Sequence, residues 1–189
     1  MKLVSISQVH ATYIRESVLR SAAQVVLASV FMGLLAQIKV TLPFTPIPLS
    51  LQSFAVMLIG VFLGPKKGVL AVISYLVQGA LGAPVWAGGS FGVLTLIGPS
   101  GGYLLGFMLQ VYLIGKASRT LQSPWVLLTV LLASETLNLC IGSLWLSHFI
   151  PAHSSMALGF YPFLPGGVLK AFGVLFLAFK AQIFSRKMS

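Results

Sequence analysis

Trp86–Phe107, WAGGSFGVLTLIGPSGGYLLGF, carries seven glycines and one proline in an otherwise apolar run without a single charge. Glycine loses more backbone freedom on folding than any other residue, so such a run weakens a soluble helix or strand. Near membrane depth, irregular backbone is tolerated only where protein buries it or where it lines a cavity. The stretch therefore reads as a loop folded back over one end of a membrane bundle, with Trp86 and Phe91 as apolar walls and backbone amides offered to a ligand.

Composition fixes the solvent. Of 189 residues, 57% are hydrophobic and 7% charged, and mean hydropathy is +0.98, whereas an average soluble domain is about one-quarter charged. A helix crossing the bilayer takes about 20 apolar residues. Proline, glycine and basic clusters divide the chain into six such segments: Leu19–Ile38, Leu49–Leu63, Val69–Leu81, Gly101–Ile114, Trp125–Leu146 and Pro165–Phe184. Residues 1–18 form a polar leader, too long and polar for a signal peptide, and residues 1–189 are expected to make one six-helix, all-α membrane domain.

Short cytoplasmic loops collect Lys and Arg. Here Lys2, Arg15 and Arg20 precede the first segment, Lys66 and Lys67 join the second to the third, Lys116 and Arg119 join the fourth to the fifth, and Lys180, Arg186 and Lys187 close the chain. The other connections hold only Lys39 and Lys170, at their edges. Both termini are thus expected in the cytoplasm, with the chain multi-pass in membrane lipid. This distribution also accounts for the net charge of +10 without a nucleic-acid partner.

Catalytic chemistry has little to work with. There is no aspartate, and the acids are Glu16 in the leader and Glu135 in the fifth segment, so paired-carboxylate catalysis is excluded. Gly98-Pro99-Ser100-Gly101-Gly102 lacks the lysine of a phosphate-cradling loop, so any ATPase that drives this protein is a separate chain. Cys140 stands alone, and a metal cage is not expected; His148 and His153 are read as solvated loop residues rather than metal ligands. Glu135 sits mid-membrane with Asn138 on the same helical face. An ionisable group there is a functional candidate, and a protonated, hydrogen-bonded packing role is the preferred reading.

Binding chemistry concentrates on the outer side. In TLPFTPIPLSLQ, Pro43, Pro46 and Pro48 stiffen an extended segment that delivers Gln52 to the start of a helix. Its amide either meets a ligand or bonds a neighbouring helix. In YPFLPGGVLK, Pro165 suits a first helical turn, and Lys170, one turn in, either snorkels to headgroups or faces a ligand anion.

These outer segments carry a resemblance. TPIPLSLQ, GAPVWAGG followed by GPSGGYLLGF, and PFLPGGVLK resemble, in order and spacing from about Ala36 to Lys170, the signature stretches of the BioY family, the biotin-binding S components of energy-coupling-factor transporters. The resemblance implies six membrane helices holding biotin near the outer face under closing loops. It also implies a bacterial cytoplasmic membrane as the location, a membrane coupling protein and two cytoplasmic ATPases as partners, no cofactor, and no enzyme activity.

Biotin suits these residues. Its ureido ring needs donors and acceptors, its thioether ring and chain need apolar walls, and its carboxylate needs a cation or amides. Gln52 and loop backbone at Gly88, Gly89 and Ser90 are assigned to the first, Trp86, Phe91 and Tyr103 to the second, and Lys170 to the third, with Asn138 also in the site. Gly101, Gly102 and Gly106 are read as close helix packing. The chain departs from the family at Gly167, where members resemble one another in carrying aspartate, and at Ser90, where many carry arginine. Without that aspartate Lys170 has no evident protein counter-ion, which points it at the ligand carboxylate. Ser29 and Gly33, with Ala22 on roughly the same face, form a small-residue stripe that either docks the coupling protein or packs within the bundle. Alternatives to biotin capture are an S component for another small vitamin, or an intramembrane enzyme or channel.

Overall fold

The computed structural model of the chain describes residues 6–120 and 123–188, with side chains over 15–119 and 123–181. Lys2, Arg186 and Lys187 lie outside the described side chains. Seven helices follow in order: α1 (Ile6–Ala36), α2 (Gln52–Ala80), α3 (Val93–Ile97), α4 (Gly101–Thr120), α5 (Pro124–Leu146), α6 (Ala152–Gly159) and α7 (Leu164–Met188). Two-residue strands β1 (Lys39–Val40) and β2 (Leu49–Ser50) pair antiparallel between α1 and α2.

The second and third expected segments are the two arms of α2. At Gly64 the backbone leaves the helix, with φ 75° and ψ −175°, a combination open essentially to glycine alone. The chain reverses there. Gln52 Nε2 donates to the Tyr75 hydroxyl, whereas a straight helix would hold those residues ~35 Å apart. Gly68 likewise lies back against Ile59. The six membrane crossings are therefore α1, the two arms of α2, α4, α5 and α7. The reversal is tied to α4 by Arg119 Nη2, which donates to the Leu63 carbonyl at 3.1 Å, and to α1 by Lys67 Nζ, which donates to Gln24 Oε1 at 2.7 Å. Lys67 and Arg119 thus gather at one end of the bundle, opposite Lys39 and Lys170.

α4 is the central helix. Leu104, Phe107 and Val111 are buried with Val56 and Ile59 of one arm of α2 and Val72 and Tyr75 of the other. A second apolar cluster joins Met57, Leu131 and Val174 at the α2–α5–α7 contact, and a third, at the outer end, joins Ile47, Tyr103, Leu146 and Phe163. Gly102 leaves room for Trp145, and Gly142 leaves room for the Tyr103 ring. α3 and α6, not foreseen as helices, cover the outer end. Trp145 Nε1 reaches back to the Gly98 carbonyl at 2.9 Å, and Thr45 Oγ1 donates to the Leu158 carbonyl at 2.7 Å.

A methyl group at Gly64 would require a backbone conformation L-residues avoid and would strike the Arg119 side chain. Gly64→Ala is therefore expected to lower stability by about 1–3 kcal/mol, read as a drop in melting temperature of the detergent-purified protein. An unchanged melting temperature would show that the reversal does not depend on this residue.

Candidate functional site

Between the outer ends of the helices lies a cavity of about 270 Å³, at the small end of the ~300–1,000 Å³ usual for ligand pockets. Trp86, Tyr103, Leu104, Phe107, Leu139 and Phe163 give it apolar walls. Ser90, Thr95 and Ser100 add polar groups from the loop around α3, and Ser50 adds one from the β1–β2 hairpin beside Pro48. The remaining wall is polar and continuous. Lys170 Nζ donates to Ser53 Oγ at 2.9 Å, and Ser53 Oγ donates to Glu135 Oε1 at 3.0 Å. Gln110 Nε2 donates to Glu135 Oε2 at 2.6 Å. One turn along α5, Asn138 is 3% exposed, and its buried Oδ1 has no hydrogen-bond partner.

Of the residues assigned to the ligand from sequence, Gln52, Trp86, Ser90, Tyr103, Asn138 and Lys170 line this cavity. Their freedom differs. Gln52 is committed to the protein, with Nε2 on Tyr75 and Oε1 accepting from Ser50 Oγ at 3.0 Å. Tyr75 in turn donates to the Val85 carbonyl at 3.2 Å, so Gln52 shapes the wall beside Trp86 instead of offering a free amide. Tyr103 donates to the Gly159 carbonyl at 2.7 Å and thereby fixes α6. Trp86 is 1% exposed and lies against Gly79, where any side chain would collide with its indole. Of the two amides lining the cavity, Gln52 and Asn138, Asn138 has an oxygen left without a partner, and Gln110 Oε1 beside Glu135 is buried without one as well.

Three expected contacts are absent from the cavity. Gly88 and Gly89, at φ 65° and 77°, form a tight turn in which Gly89 N–H bonds the Trp86 carbonyl at 2.9 Å. The turn aims Trp86 and Ser90 inward, while Gly88 itself faces the Lys39 side chain. Phe91, next after Ser90, is 56% exposed because the same turn carries it to the outer surface. Of the two readings of the small-residue stripe, Ser29 and Gly33 follow packing within the bundle. Ser29 is fully buried and accepts from Gln78 Nε2 at 2.9 Å, and Gly33 lies against Val85. Both face the bundle because α1 packs on the second arm of α2, so of the three residues only Ala22 is exposed. His148, with Nδ1 3.1 Å from the Trp145 carbonyl, and His153 are both exposed at the outer end.

Lys170 does have a protein counter-ion, contrary to the sequence reading. Glu135 supplies it through Ser53, with Ser53 Oγ on one carboxyl oxygen and Gln110 Nε2 on the other. A Cβ built on Gly167 would stand 2.9 Å from Glu135 Cγ, so the position at which the family resemblance placed an acid is occupied here by an acid from α5. The sequence signal for Glu135 was its rarity, one of two acids. Nothing in the sequence linked it to Ser53, 82 residues away.

The chain is 36% identical to a probable biotin transporter BioY of Pyrococcus horikoshii, over 85% of this chain and 97% of that protein. It is 34% identical to the biotin transporter BioY of Thermotoga maritima, over 75% and 85% of the two chains. The fold superposes with a TM-score of 0.80 and 28% identity on the crystal structure of the S-component for biotin from an ECF-type ABC transporter, covering 88% of this chain and 93% of that one. The relatives are named as transporters, not enzymes. The sequence matches the BioY family over residues 6–186, and the chain belongs to that family.

Proposed function

We propose that this protein captures biotin at the outer face of the membrane and delivers it inward as the substrate-binding component of an ECF-type transporter. The observation that carries the reading is a small cavity at membrane depth. It combines aromatic walls, a buried unpartnered amide oxygen at Asn138, and a paired cation and anion. Apolar walls from Trp86, Phe107 and Phe163 suit the thiophane ring and aliphatic chain. Asn138, the loop hydroxyls and the Lys170–Glu135 wall offer donors and acceptors to the polar groups. Uphill transport then requires energy from elsewhere, since no nucleotide-binding motif is present in the sequence. A membrane coupling protein and two cytoplasmic ATPases are the partners that this reading supplies, as the relatedness to an ECF-type component suggests.

Biotin added to the purified protein is expected to raise its melting temperature, because a ligand that binds only the folded state stabilises by mass action. Stabilisation by a different small vitamin and none by biotin would reassign the substrate. In proteoliposomes, accumulation of biotin is expected only when the coupling protein and ATPases are reconstituted with ATP. Accumulation by the chain alone would remove them from the mechanism.

Asn138 gives a sharper test. Its Oδ1 is already buried without a partner, so replacing the side chain with a nearly isosteric apolar group relieves an unsatisfied polar atom. Asn138→Leu is expected to leave the unliganded melting temperature unchanged or higher while weakening biotin by about tenfold or more. A loss of stability with affinity retained would make Asn138 a packing residue.

A further inference from the structure

Glu135 is the one acid in the wall of the cavity, and four features show that the site is built around it. It is 5% exposed, so its charge is separated from water and would be costly without compensation. Ser53 from α2 and Gln110 from α4 donate to its two oxygens. From α7, Lys170 reaches the same Ser53 hydroxyl. Also on α7, Gly167 leaves open the space that the Glu135 side chain fills, since a Cβ there would stand 2.9 Å from Cγ and 3.3 Å from Oε1.

The Ser53 hydroxyl has one proton. It gives that proton to Glu135 and accepts from Lys170, so the polarity of the chain is set by the acid at its end. The charges at this wall sum to zero. An anionic ligand group brought here would gain at Lys170 and lose at Glu135, whereas a neutral group carrying both N–H donors and a carbonyl acceptor can use both.

We infer that Glu135 is a positioning and specificity-determining residue: through Ser53 it holds Lys170 at the cavity wall, and it sets this end of the site to receive a neutral donor-and-acceptor group, the ureido ring of biotin, rather than the carboxylate. The inference rests on the biotin reading above. It assigns Gly167 a defined part, that of leaving room for the acid from α5.

The test compares biotin with 2-iminobiotin, in which a guanidine, cationic at neutral pH, replaces the ureido group while the rest of the molecule is unchanged. Dissociation constants of both are measured by competition on detergent-purified wild type and Glu135→Gln. With the anion removed, Lys170 is uncompensated, and the guanidinium should lose more than the ureido ring. The ratio of the 2-iminobiotin to the biotin dissociation constant is expected to rise by about tenfold or more. Gly167→Ala, which displaces Glu135, should raise the same ratio, and should add nothing in a Glu135→Ala background. It carries the test where Glu135→Gln does not fold. Equal weakening of both ligands, or no weakening of either, would reduce Glu135 to a structural residue and overturn the inference while leaving biotin capture intact. Failure of the wild type to bind biotin would instead overturn the reading on which it rests.

Discussion

Charged groups cannot stay unpaired at membrane depth, and the outer half of this protein is arranged around that constraint. An ammonium or carboxylate removed from water costs several kcal/mol unless a partner and further hydrogen bonds compensate it. Lys170 and Glu135 meet the requirement together through Ser53, with Gln110 taking the second carboxylate oxygen. Four residues on four helices are thereby held in one network. The helices α2, α4, α5 and α7 must keep their relative positions for that network to exist, and the cavity is the space between them.

The reversal at Gly64 explains why the cavity lies inside the membrane rather than above it. The arm of α2 over residues 52–63 is ~18 Å long at 1.5 Å per residue, against a hydrocarbon thickness of ~30 Å. Starting from the cation-rich end marked by Lys67 and Arg119, it stops well short of the opposite surface. The remaining depth is filled by the β1–β2 hairpin, the Trp86–Ser90 turn and the short helices α3 and α6. Their polar backbone faces the cavity or is bonded within the protein: β1 pairs with β2, the Gly98 carbonyl takes the Trp145 indole, and Tyr103 takes the Gly159 carbonyl. Irregular structure at this depth and a ligand cavity are thus two aspects of one arrangement.

Most of the architecture was legible in the sequence because it follows from local rules. Apolar length and the alternation of cations set the spans and their direction, and Gly64-Pro65 before Lys66-Lys67 marked the reversal. Trp86 and Tyr103 were read as apolar walls from the stretches that carry the family resemblance, and Asn138 and Lys170 as polar side chains that stand out in apolar helices. What sequence could not show was pairing between distant elements. Glu135 and Lys170 are on different helices, and their link through a serine has no local signature. Phe91 failed for a related reason. It neighbours Ser90 in sequence, yet Ser90 is in extended backbone, φ −69° and ψ 153°, where consecutive side chains point to opposite sides. Ser29 and Gly33 looked like a contact stripe and are one, but the partner is the second arm of α2 and its following loop.

That last contact joins the site to α1. Gln37, at the end of α1, places Nε2 2.9 Å from the Gly33 carbonyl and 3.4 to 3.5 Å from the carbonyls of Pro84, Val85 and Trp86, while the Lys39 side chain crosses Gly88. From the other side, Tyr75 holds the Val85 carbonyl and is itself held by Gln52. The turn that carries Trp86 into the cavity is therefore clamped between α1 and the second arm of α2, with one amide and one phenol bonding successive carbonyls. A shift of α1 along α2 would strain these bonds before it disturbed the Lys170–Ser53–Glu135 network, which has no member on α1. Only the Trp86 part of the aromatic wall is tied to α1 in this way, since Tyr103, Phe107 and Phe163 stand on or beside α4 and α7, the helices that also carry Gln110 and Lys170 of the charged network.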